Sequence, residues 1–394
     1  MLRNTPFARP SRSSTPAGRH SQGWRWLRAA LVCIAILGGG IAIALYEDPS
    51  LVPQAVDVAR ALVGPQPVAL VESWVFQAQD SVRQARYQAT GAAPQVRWAA
   101  PPAAKPAQAA GAAPGVPAAA TSVPSSAGAG VVPAWAPFVY TPSGAPALDR
   151  ALIAPDPTRP YVETALVRVD LRAAQLHLVA GTQEPQSDIR AARPGSIPAA
   201  DQRAGYLLAA FNGGFKAANG AFGMGVGKTT LLPPLDGLAT LAIYRDGSVR
   251  LGVWGSDMQA TPDMVAFRQN CPLLLDHGEL TSDATSDDPA LWGKTVKNKI
   301  ATWRSGLGLS ADGRFLYYAA GDGLTVPALA QALADAGADR AMQLDINSWW
   351  TRFVTYAPGA GGRLAAQKLL ADMIGDTRQF LAPDQRDFFY LTAR

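Results

Sequence analysis

The sequence is poor in the residues that build disulfide frameworks and metal centres. Among its 394 residues there are two cysteines and three histidines. Cys33 lies in an apolar run near the N-terminus and Cys271 stands alone in the C-terminal half, so we expect no disulfide within the C-terminal part. A zinc site takes several His or Cys ligands, and the carboxylates show no spacing specific to a divalent ion. We therefore predict neither a metal nor a cofactor.

Acidic residues are missing from residues 1–28, which carry all of the chain's excess positive charge. This basic arm has six arginines and no Asp or Glu. Removing those six from the 35 basic residues leaves 29 against 30 acidic residues, so the formal charge of +5 becomes −1 for the remainder. A nucleic-acid-binding domain needs a concentrated basic surface. The remainder lacks such an excess, and we predict no nucleic-acid partner.

Charge is also absent from residues 29–46, which read AALVCIAILGGGIAIALY. These eighteen residues, at about 1.5 Å each, are long enough to cross about 27 Å of hydrocarbon. The arginine arm before them favours a cytoplasmic N-terminus. We predict a single-pass transmembrane helix in the cell membrane that keeps the following domain extracytoplasmic. The sequence Ala42-Ile43-Ala44 leaves a second interpretation open, a cleaved signal peptide, which also places the remainder outside the cytoplasm.

Two segments of different composition separate the predicted span from a folded domain, residues 141–394. Residues 47–88 form a juxtamembrane segment, in which 67–87 predicts either an amphipathic helix on the membrane surface or a plain spacer helix. Residues 89–140 are dominated by Ala, Pro and Gly, a composition that favours an extended linker over a packed core. The apolar positions of the predicted helix include Val71, Val75, Val82 and Tyr87.

Short alternating segments in residues 141–394 predict an α+β fold, with mixed, largely antiparallel sheets and flanking helices. Turn residues such as Asp246-Gly247 and Ala311-Asp312-Gly313 separate apolar runs and predict hairpins. The predicted strands are 162–169 and 174–180, taken as one hairpin, 206–211, 239–244 with 249–254, 304–310 with 315–320, and 341–344. A helix is predicted at 326–336, because Leu329, Ala332 and Leu333 recur at helical spacing.

Three polar segments lie at the ends of predicted strands, where a rigid scaffold commonly places functional side chains. They read FNGGFK at 211–216, TWRSGLG at 302–308 and QLDINSWW at 343–350. Each also has an ordinary structural explanation, since Asn-Gly-Gly is common in turns, a strand arginine can pair with a neighbouring acid, and a tryptophan pair is often core. Gly321-Asp322-Gly323 is likewise either a turn or a site. Their convergence in sequence order favours a site.

The ordered motifs FNGGF, RQN with PLLLDHGEL, and WRSGLGLSADGRFLYYAAGDGLTVPALAQALADAGADRAMQLD resemble the phosphodiester glycosidase family. This is the domain of the uncovering enzyme, N-acetylglucosamine-1-phosphodiester alpha-N-acetylglucosaminidase, which removes N-acetylglucosamine from a phosphodiester-linked mannose. The resemblance covers residues of about 160–390. The last motif departs from it, because the family has Asp-Gly-Gly-Gly-Ser where this chain has Asp345-Ile346-Asn347-Ser348-Trp349. The chain therefore resembles a divergent, bacterial-type member.

The resemblance implies roles for the polar residues. Asn212, Arg304 and Asp345 are implied as the catalytic residues, with Arg304 on the phosphate and Asp345 at the glycosidic bond. An arginine suits a phosphodiester because its planar fork matches two oxygens. The residues expected to bind substrate are Gly213, Gly214, Lys216, Asp322, Asn347, Ser348 and Trp349.

Two functions from different classes are consistent with these observations. The first is a membrane-anchored extracytoplasmic hydrolase that acts on sugar phosphodiester or related glycosidic linkages of envelope glycans. The second is a non-catalytic cell-envelope glycan-binding module on the same fold, in which Trp349 and Trp350 stack on sugar rings. An envelope glycan or sugar phosphodiester is the expected partner in both, with the membrane contacted through residues 29–46.

Overall fold

The computed structural model describes residues 55–56, 58–59, 62, 65–91, 96–100, 130–286, 291–292 and 300–394. The chain divides into two compact units, Met1–Gly64 and Pro65–Arg394, and only the second is described in detail. The predicted basic arm and the predicted span at 29–46 lie outside the described residues. Within the described residues, no helix combines the length and apolarity needed to cross a membrane.

The second unit is built mainly from strands. Its helices are α1 (Pro65–Thr90), α2 (Ser282–Thr285) and α3 (Val326–Asp335), with 3-10 turns at Ala217–Asn219, Ala360–Gly362 and Gln379–Leu381. Its strands are β1 (Ala136–Tyr140), β2 (Pro146–Ile153), β3 (Thr164–Asp170), β4 (Ala174–Val179), β5 (Leu207–Asn212), β6 (Met224–Val226), β7 (Thr229–Leu232), β8 (Ala239–Tyr244), β9 (Val249–Val253), β10 (Met264–Gln269), β11 (Leu273–Asp276), β12 (Glu279–Leu280), β13 (Thr302–Leu309), β14 (Phe315–Leu324), β15 (Arg340–Ile346), β16 (Phe353–Pro358), β17 (Leu364–Lys368) and β18 (Phe388–Ala393).

The strands form three sheets whose neighbouring strands run antiparallel. The large sheet has the order β1-β2-β3-β14-β13-β15-β11-β12, the second β7-β6-β10-β8-β9 and the third β17-β16-β5-β18-β4. One apolar cluster contains side chains from all three sheets, among them Leu307, Leu241 and Phe389. The fold is therefore mostly antiparallel sheet with few helices, which confirms the coarse part of the predicted class.

Most of the predicted local elements are present. The β8–β9 hairpin pairs across Asp246-Gly247, with Gly247 at φ +80°, and β13 pairs with β14 as expected. Helix α3 begins after Thr325, whose side chain accepts a hydrogen bond from the Ala328 amide at 3.2 Å. Such an N-cap satisfies one of the free amide groups at a helix start.

The predicted hairpin of 162–169 and 174–180 is wrong. Its two strands exist as β3 and β4, and the chain turns between them, since the Ala173 amide donates to the Asp170 carbonyl at 2.9 Å. However, β3 pairs with β2 and β14 in the large sheet, whereas β4 pairs with β18 in the third sheet. Alternating apolar residues predict a strand but do not specify its partner.

Helix α1 contacts the domain through its polar and aromatic side. Asp80 forms an ion pair with Arg159, Arg83 forms one with Asp322 at 2.5 Å, and the ring of Tyr87 lies 5.6 Å from that of Tyr161. The helix is therefore held against the domain by ion pairs and one aromatic contact, and four apolar side chains on its opposite side are exposed. These are Val71, Trp74, Val75 and Val82.

Parts of the predicted linker also contact the domain. Strand β1 falls within 89–140 and pairs with β2 in the large sheet. Trp98 forms an isolated bridge with Leu370, and the guanidinium of Arg150 lies 4.5 Å from the centre of its ring. The folded domain therefore uses residues on both sides of 101–129.

An aromatic cluster joins the large sheet to the third sheet directly below the polar segments. Phe211 of β5 stacks on Phe353 and Phe389, with ring centres 5.5 Å apart in each pair, and Tyr318 of β14 lies 5.3 Å away. All four rings are buried. Strands β5 and β15 end near this cluster, and β18 begins there. The cluster therefore lies beneath the cleft that is described below.

Candidate active site

A cleft opens where β5 and β15 end and where β18 begins. It encloses about 260 Å³, counting space open to solvent. The lining residues are Asn212, Gly213, Asp345, Trp350, Arg352, Gln379, Phe380, Arg386 and Asp387.

Asn212 lines the cleft, but its side chain is occupied by the protein. Its Nδ2 donates to the Ser305 hydroxyl at 3.0 Å and to the Gly213 carbonyl at 3.2 Å. Its Oδ1 accepts from the Tyr318 hydroxyl at 3.1 Å and from the Arg352 amide at 3.0 Å. With donors and acceptor satisfied, Asn212 is a positioning residue, and the predicted catalytic role is not supported by this geometry.

Gly213 and Gly214 allow the chain to pass very close to a buried ion pair. A Cβ at Gly213 would lie 2.1 Å from Asp387 Oδ2, and one at Gly214 would lie 2.7 Å from Arg268 Cζ. The Gly214 amide donates to Asp387 Oδ2 at 3.1 Å, and the Gly213 amide donates to the Asp387 carbonyl at 3.1 Å. Gly213 and Gly214 were expected to bind substrate, but in the structure their amides bind Asp387.

Arg268 and Asp387 form the ion pair beneath the glycines. Both side chains are fully buried, and Arg268 Nε lies 2.8 Å from Asp387 Oδ2. Arg268 also donates to the carbonyls of Phe222, Gln269 and Phe215 at 2.7–3.1 Å. Because a buried charge is tolerated only when paired and hydrogen-bonded, the carboxylate of Asp387 is committed to Arg268 and to the glycine amides.

Asp345 is the carboxyl of the cleft whose pKa is raised toward neutrality. Burial raises its pKa to about 6, against opposing effects of the Arg386 guanidinium and the Ile346 amide, while the negative charge of Asp387 raises it further. Asp345 Oδ2 contacts Arg386, and its backbone amide donates to the Gly213 carbonyl at 3.0 Å. A pKa near neutrality suits a group that takes up or releases a proton.

Arg386 is the cation that faces Asp345. Its Nη2 donates to Asp345 and to the Gly214 carbonyl, the latter at 2.9 Å, and its guanidinium lies 4.6 Å from the centre of the Trp350 ring. Its Nε and Nη1 are buried and have no hydrogen-bond partner among the described residues. Since buried donors are normally satisfied, these two nitrogens are candidates for binding a ligand oxygen.

Arg304 does not lie in the cleft, contrary to the prediction. It is fully buried in β13, where Nε, Nη1 and Nη2 donate to the Leu324 carbonyl, Gln343 Oε1 and the Ile300 carbonyl at 2.9–3.1 Å. Burial lowers its pKa to about 10. All of its nitrogens bind the protein, so Arg304 supports the core, and Arg386 stands where the phosphate-binding arginine was expected.

Asp322 is also away from the cleft. Its side chain is 36% exposed and pairs with Arg83 of α1. The predicted role in substrate binding is therefore replaced by a contact between α1 and the large sheet.

The residues after Asp345 form a tight turn. Asn347 has φ +73°, and its Oδ1 accepts from the Trp349 amide at 3.0 Å. Asn tolerates this left-handed conformation better than most residues. Ser348 and Trp349 follow in the turn and are not among the lining residues, whereas Trp350, the neighbour of the predicted Trp349, is.

Lys216 lies beside the cleft and is not among its lining residues. Its Nζ lies 5.3 Å from the centre of the Trp350 ring, and its positive charge lowers the pKa of Asp345. Among the predicted residues, the cleft therefore brings together Asn212, Gly213 and Asp345, with Lys216 beside them.

Sequence reasoning missed the basic residues that complete the cleft, Arg386, Arg352 and Arg268. One signal was present for Arg386. The charged dipeptide Arg386-Asp387 immediately precedes the apolar run FFYL, so it marks the start of a buried strand in the same way that Asp345 marks the end of one. Within the described part of the chain, no group of three or more His, Cys, Asp or Glu side chains is placed to hold a metal ion.

The structure is similar to several solved structures at low sequence identity. One is the catalytic domain of zebrafish N-acetylglucosamine-1-phosphodiester alpha-N-acetylglucosaminidase, auto-inhibited by its pro-peptide, with a TM-score of 0.40 and 16% identity over 65% of this chain and 87% of that one. A hypothetical protein from Synechocystis has a TM-score of 0.35 and 15% identity over 66% and 64% of the two chains. A putative exported protein from Burkholderia pseudomallei has a TM-score of 0.30 and 11% identity over 58% and 74%.

Comparison with curated proteins found no match. The model of the phosphodiester glycosidase family matches residues 206–345. That range runs from the start of β5 to the Asp345 carboxyl, and it contains the motifs that carry the resemblance. It confirms the resemblance of this part of the chain to the phosphodiester glycosidase family.

Proposed function

We propose that the chain is a hydrolase of sugar phosphodiester linkages, in which Asp345 and Arg386 act together. One observation carries the proposal. A carboxyl whose pKa is raised to about 6 by burial contacts a guanidinium that keeps two buried nitrogens, Nε and Nη1, without a partner among the described residues. The carboxyl supplies proton transfer, and the guanidinium supplies a site for phosphate oxygens.

The reaction follows from these two groups. A water oxygen attacks the anomeric carbon and its proton passes to the Asp345 carboxylate. The bond from that carbon to the phosphate oxygen breaks, and its electron pair stays on the phosphate, which leaves as a monoester. Arg386 donates to the phosphate oxygens, where the charge develops, and interactions that strengthen as charge develops accelerate the step.

Substrate binding makes Asp345 a stronger base. In the unliganded cleft, Arg386 lowers the pKa of Asp345. A bound phosphate competes for the same guanidinium and offsets its positive charge, so the pKa of Asp345 rises and the carboxylate accepts the proton of water more readily. Through the Arg386–Asp345 ion pair, binding of the substrate phosphate thereby makes the Asp345 carboxylate more basic.

A single reactive carboxyl is sufficient for this linkage. Glycosidases generally use a second carboxyl to protonate the leaving oxygen, and Asp387 cannot serve because it is tied to Arg268. A phosphate monoester departs without protonation, since its charge spreads over its oxygens. The arrangement therefore suits a sugar phosphodiester better than an ordinary glycoside.

The proposal also includes the location of the domain and the class of polymer on which it acts. The apolar run at 29–46 and the one-sided arginine arm support membrane attachment with the domain outside the cytoplasm, where envelope glycans with phosphodiester linkages are the substrates. The alternative, a glycan-binding module, is less well supported. Trp350, an aromatic residue that lines the cleft, already packs against Arg386 and Lys216, so it is not an open platform for a sugar.

Turnover of the full chain on a panel of sugar-1-phosphodiesters tests the proposal, with release of the phosphate monoester as the readout. Asp345→Asn and Arg386→Gln are each expected to lower kcat by about 10²-fold or more. Arg363→Gln, which removes the same charge from an exposed position, is the matched control and should keep wild-type turnover. Unchanged turnover in Asp345→Asn contradicts the mechanism, and glycan binding by the wild type without any turnover supports the binding module instead.

A further inference from the structure

Arg352 is a second guanidinium in the cleft, and no part of the proposed mechanism uses it so far. It lines the same cleft as Arg386 and Asp345. Its Nε is buried without a hydrogen-bond partner among the described residues, like two of the nitrogens of Arg386. Two guanidinium groups of residues that line one cleft therefore carry three buried nitrogens without a partner among the described residues.

The surrounding residues fix Arg352 in place. Asn212 holds its backbone from both sides, since Asn212 Oδ1 accepts from the Arg352 amide at 3.0 Å and the Asn212 amide donates to the Arg352 carbonyl at 3.1 Å. The guanidinium packs against Gly375, where a Cβ would lie 2.8 Å from Arg352 Cζ. Gly375 has φ +102°, a conformation that favours glycine.

A glutamine orients the guanidinium. Arg352 Nη1 donates to Gln379 Oε1, and Gln379 Nε2 donates to Asp384 Oδ2 at 2.9 Å. Since the amide group of Gln379 is fixed at both ends, its oxygen faces Arg352. A side chain held by packing and by a second layer of hydrogen bonds is characteristic of a prepared binding group.

The positive charge of Arg352 has no carboxylate in direct contact with it among the described residues. Asp345 contacts Arg386 and Asp387 pairs with Arg268, whereas Arg352 reaches Asp384 only through Gln379. Burial lowers the pKa of Arg352; Asp384 raises it, and the nearby charge of Arg386 lowers it. An additional anionic charge in the cleft would stabilise this arrangement.

The proposed reaction produces such a charge. A phosphodiester carries one negative charge, whereas the released phosphate monoester carries about −1.5 to −2 at pH 7. The electron pair of the broken bond stays on the phosphate and the proton of water goes to Asp345, so no proton neutralises the new charge. We propose that Arg352 binds the phosphate oxygens together with Arg386 and selects the dianionic, product-like phosphate over the monoanionic diester, and this rests on the proposed function.

The preference for a dianion can be measured by binding, without turnover. Calorimetry of the full chain with methyl phosphate and with dimethyl phosphate at pH 8 compares a dianion with a monoanion of similar size. We expect the wild type to bind methyl phosphate at least about tenfold more tightly, and we expect this ratio to fall as pH drops below the second phosphate pKa, about 6. A wild-type ratio near one contradicts the inference without the need for any variant.

Variants then assign the preference to Arg352. Arg352→Gln should bring the ratio close to one, Arg352→Lys should retain part of it because it keeps the charge, and Arg363→Gln should leave it unchanged. On the phosphodiester, Arg352→Gln should lower kcat by about 10–10²-fold with little change in KM, because the lost contact strengthens only as charge develops. A full dianion preference in Arg352→Gln overturns the inference.

The two proposals fail in different ways. Absence of turnover in the wild type contradicts the proposed hydrolase but leaves the binding ratio measurable. Wild-type turnover with equal binding of the two phosphates contradicts the role of Arg352 and leaves the hydrolase intact.

Discussion

Replacing Asp345 with Asn is expected to remove a pH-dependent part of the stability of the domain. Burial raises the pKa of this carboxyl from 3.8 to about 6 in the folded protein, so the folded state holds the proton more tightly than the unfolded state. The stabilisation is present in full below the unfolded pKa and is lost as the pH rises through the folded pKa. Between about pH 4 and pH 6, stability should therefore fall as the pH rises.

The magnitude follows from the same two values. At about 1.4 kcal/mol for each pKa unit, the difference between 3.8 and about 6 corresponds to about 3 kcal/mol. The pKa of about 6 already includes the attraction of Arg386 for the ionised carboxylate, so the loss of that attraction in Asn is not counted separately. Part of the titration of the unfolded carboxyl lies below pH 4, so the free-energy difference between Asp345→Asn and the wild type should shift by about 2 kcal/mol in favour of the variant between pH 4 and pH 7.

Urea unfolding of both proteins at half-unit pH intervals measures this shift. Other titrating groups contribute equally to the two proteins and cancel in the difference. A difference that stays flat between pH 4 and pH 7 would refute the claim that Asp345 is buried with a raised pKa. A difference that moves in favour of the wild type would show that Arg386 lowers the pKa of Asp345 more than burial raises it.

Two further predictions test the residues on either side of the cleft. Asp387→Asn leaves Arg268 buried without its carboxylate and should lower the free energy of unfolding by about 3–5 kcal/mol. Urea unfolding measures this change. A change below about 1 kcal/mol would mean that the carbonyl acceptors alone are enough to stabilise the buried Arg268. Asp322→Asn breaks the partly exposed ion pair with Arg83 and should change the free energy of unfolding by no more than about 1 kcal/mol. It should also leave turnover unchanged. A tenfold loss of kcat would show that Asp322 takes part in the reaction.

Local patterns in the sequence predict the elements of this fold better than their pairing. The β8–β9 hairpin follows from Asp246-Gly247, because two adjacent strands joined by a short turn pair with each other. Strands β3 and β4 are equally close in sequence but belong to different sheets. Their partners are set by contacts between distant segments, such as Leu178 with Phe389, and no local pattern contains that information.

The lack of information on distant contacts also explains why Arg304 was predicted at the site and Arg386 was not. Arg304 lies in a strand whose residues are all buried, so alternation does not reveal which side of the strand faces a cleft. Arg386 reaches Asp345 from 41 residues away in the sequence. The carboxyl could be predicted from a motif at one strand end, whereas its cationic partner comes from another strand, and only the packing of the large sheet against the third sheet brings them together.

The divergent turn after Asp345 changes the wall of the cleft and keeps its carboxyl. Where the family has three glycines, the left-handed conformation falls on Asn347, at φ +73°, which Asn adopts at modest cost. Its side chain then caps the turn through the Trp349 amide, and Trp350 comes to lie against Arg386. Loss of the glycines therefore does not displace Asp345 from the end of β15. It places an aromatic ring beside the Arg386 guanidinium, so the two groups on which the proposed hydrolysis depends are both retained.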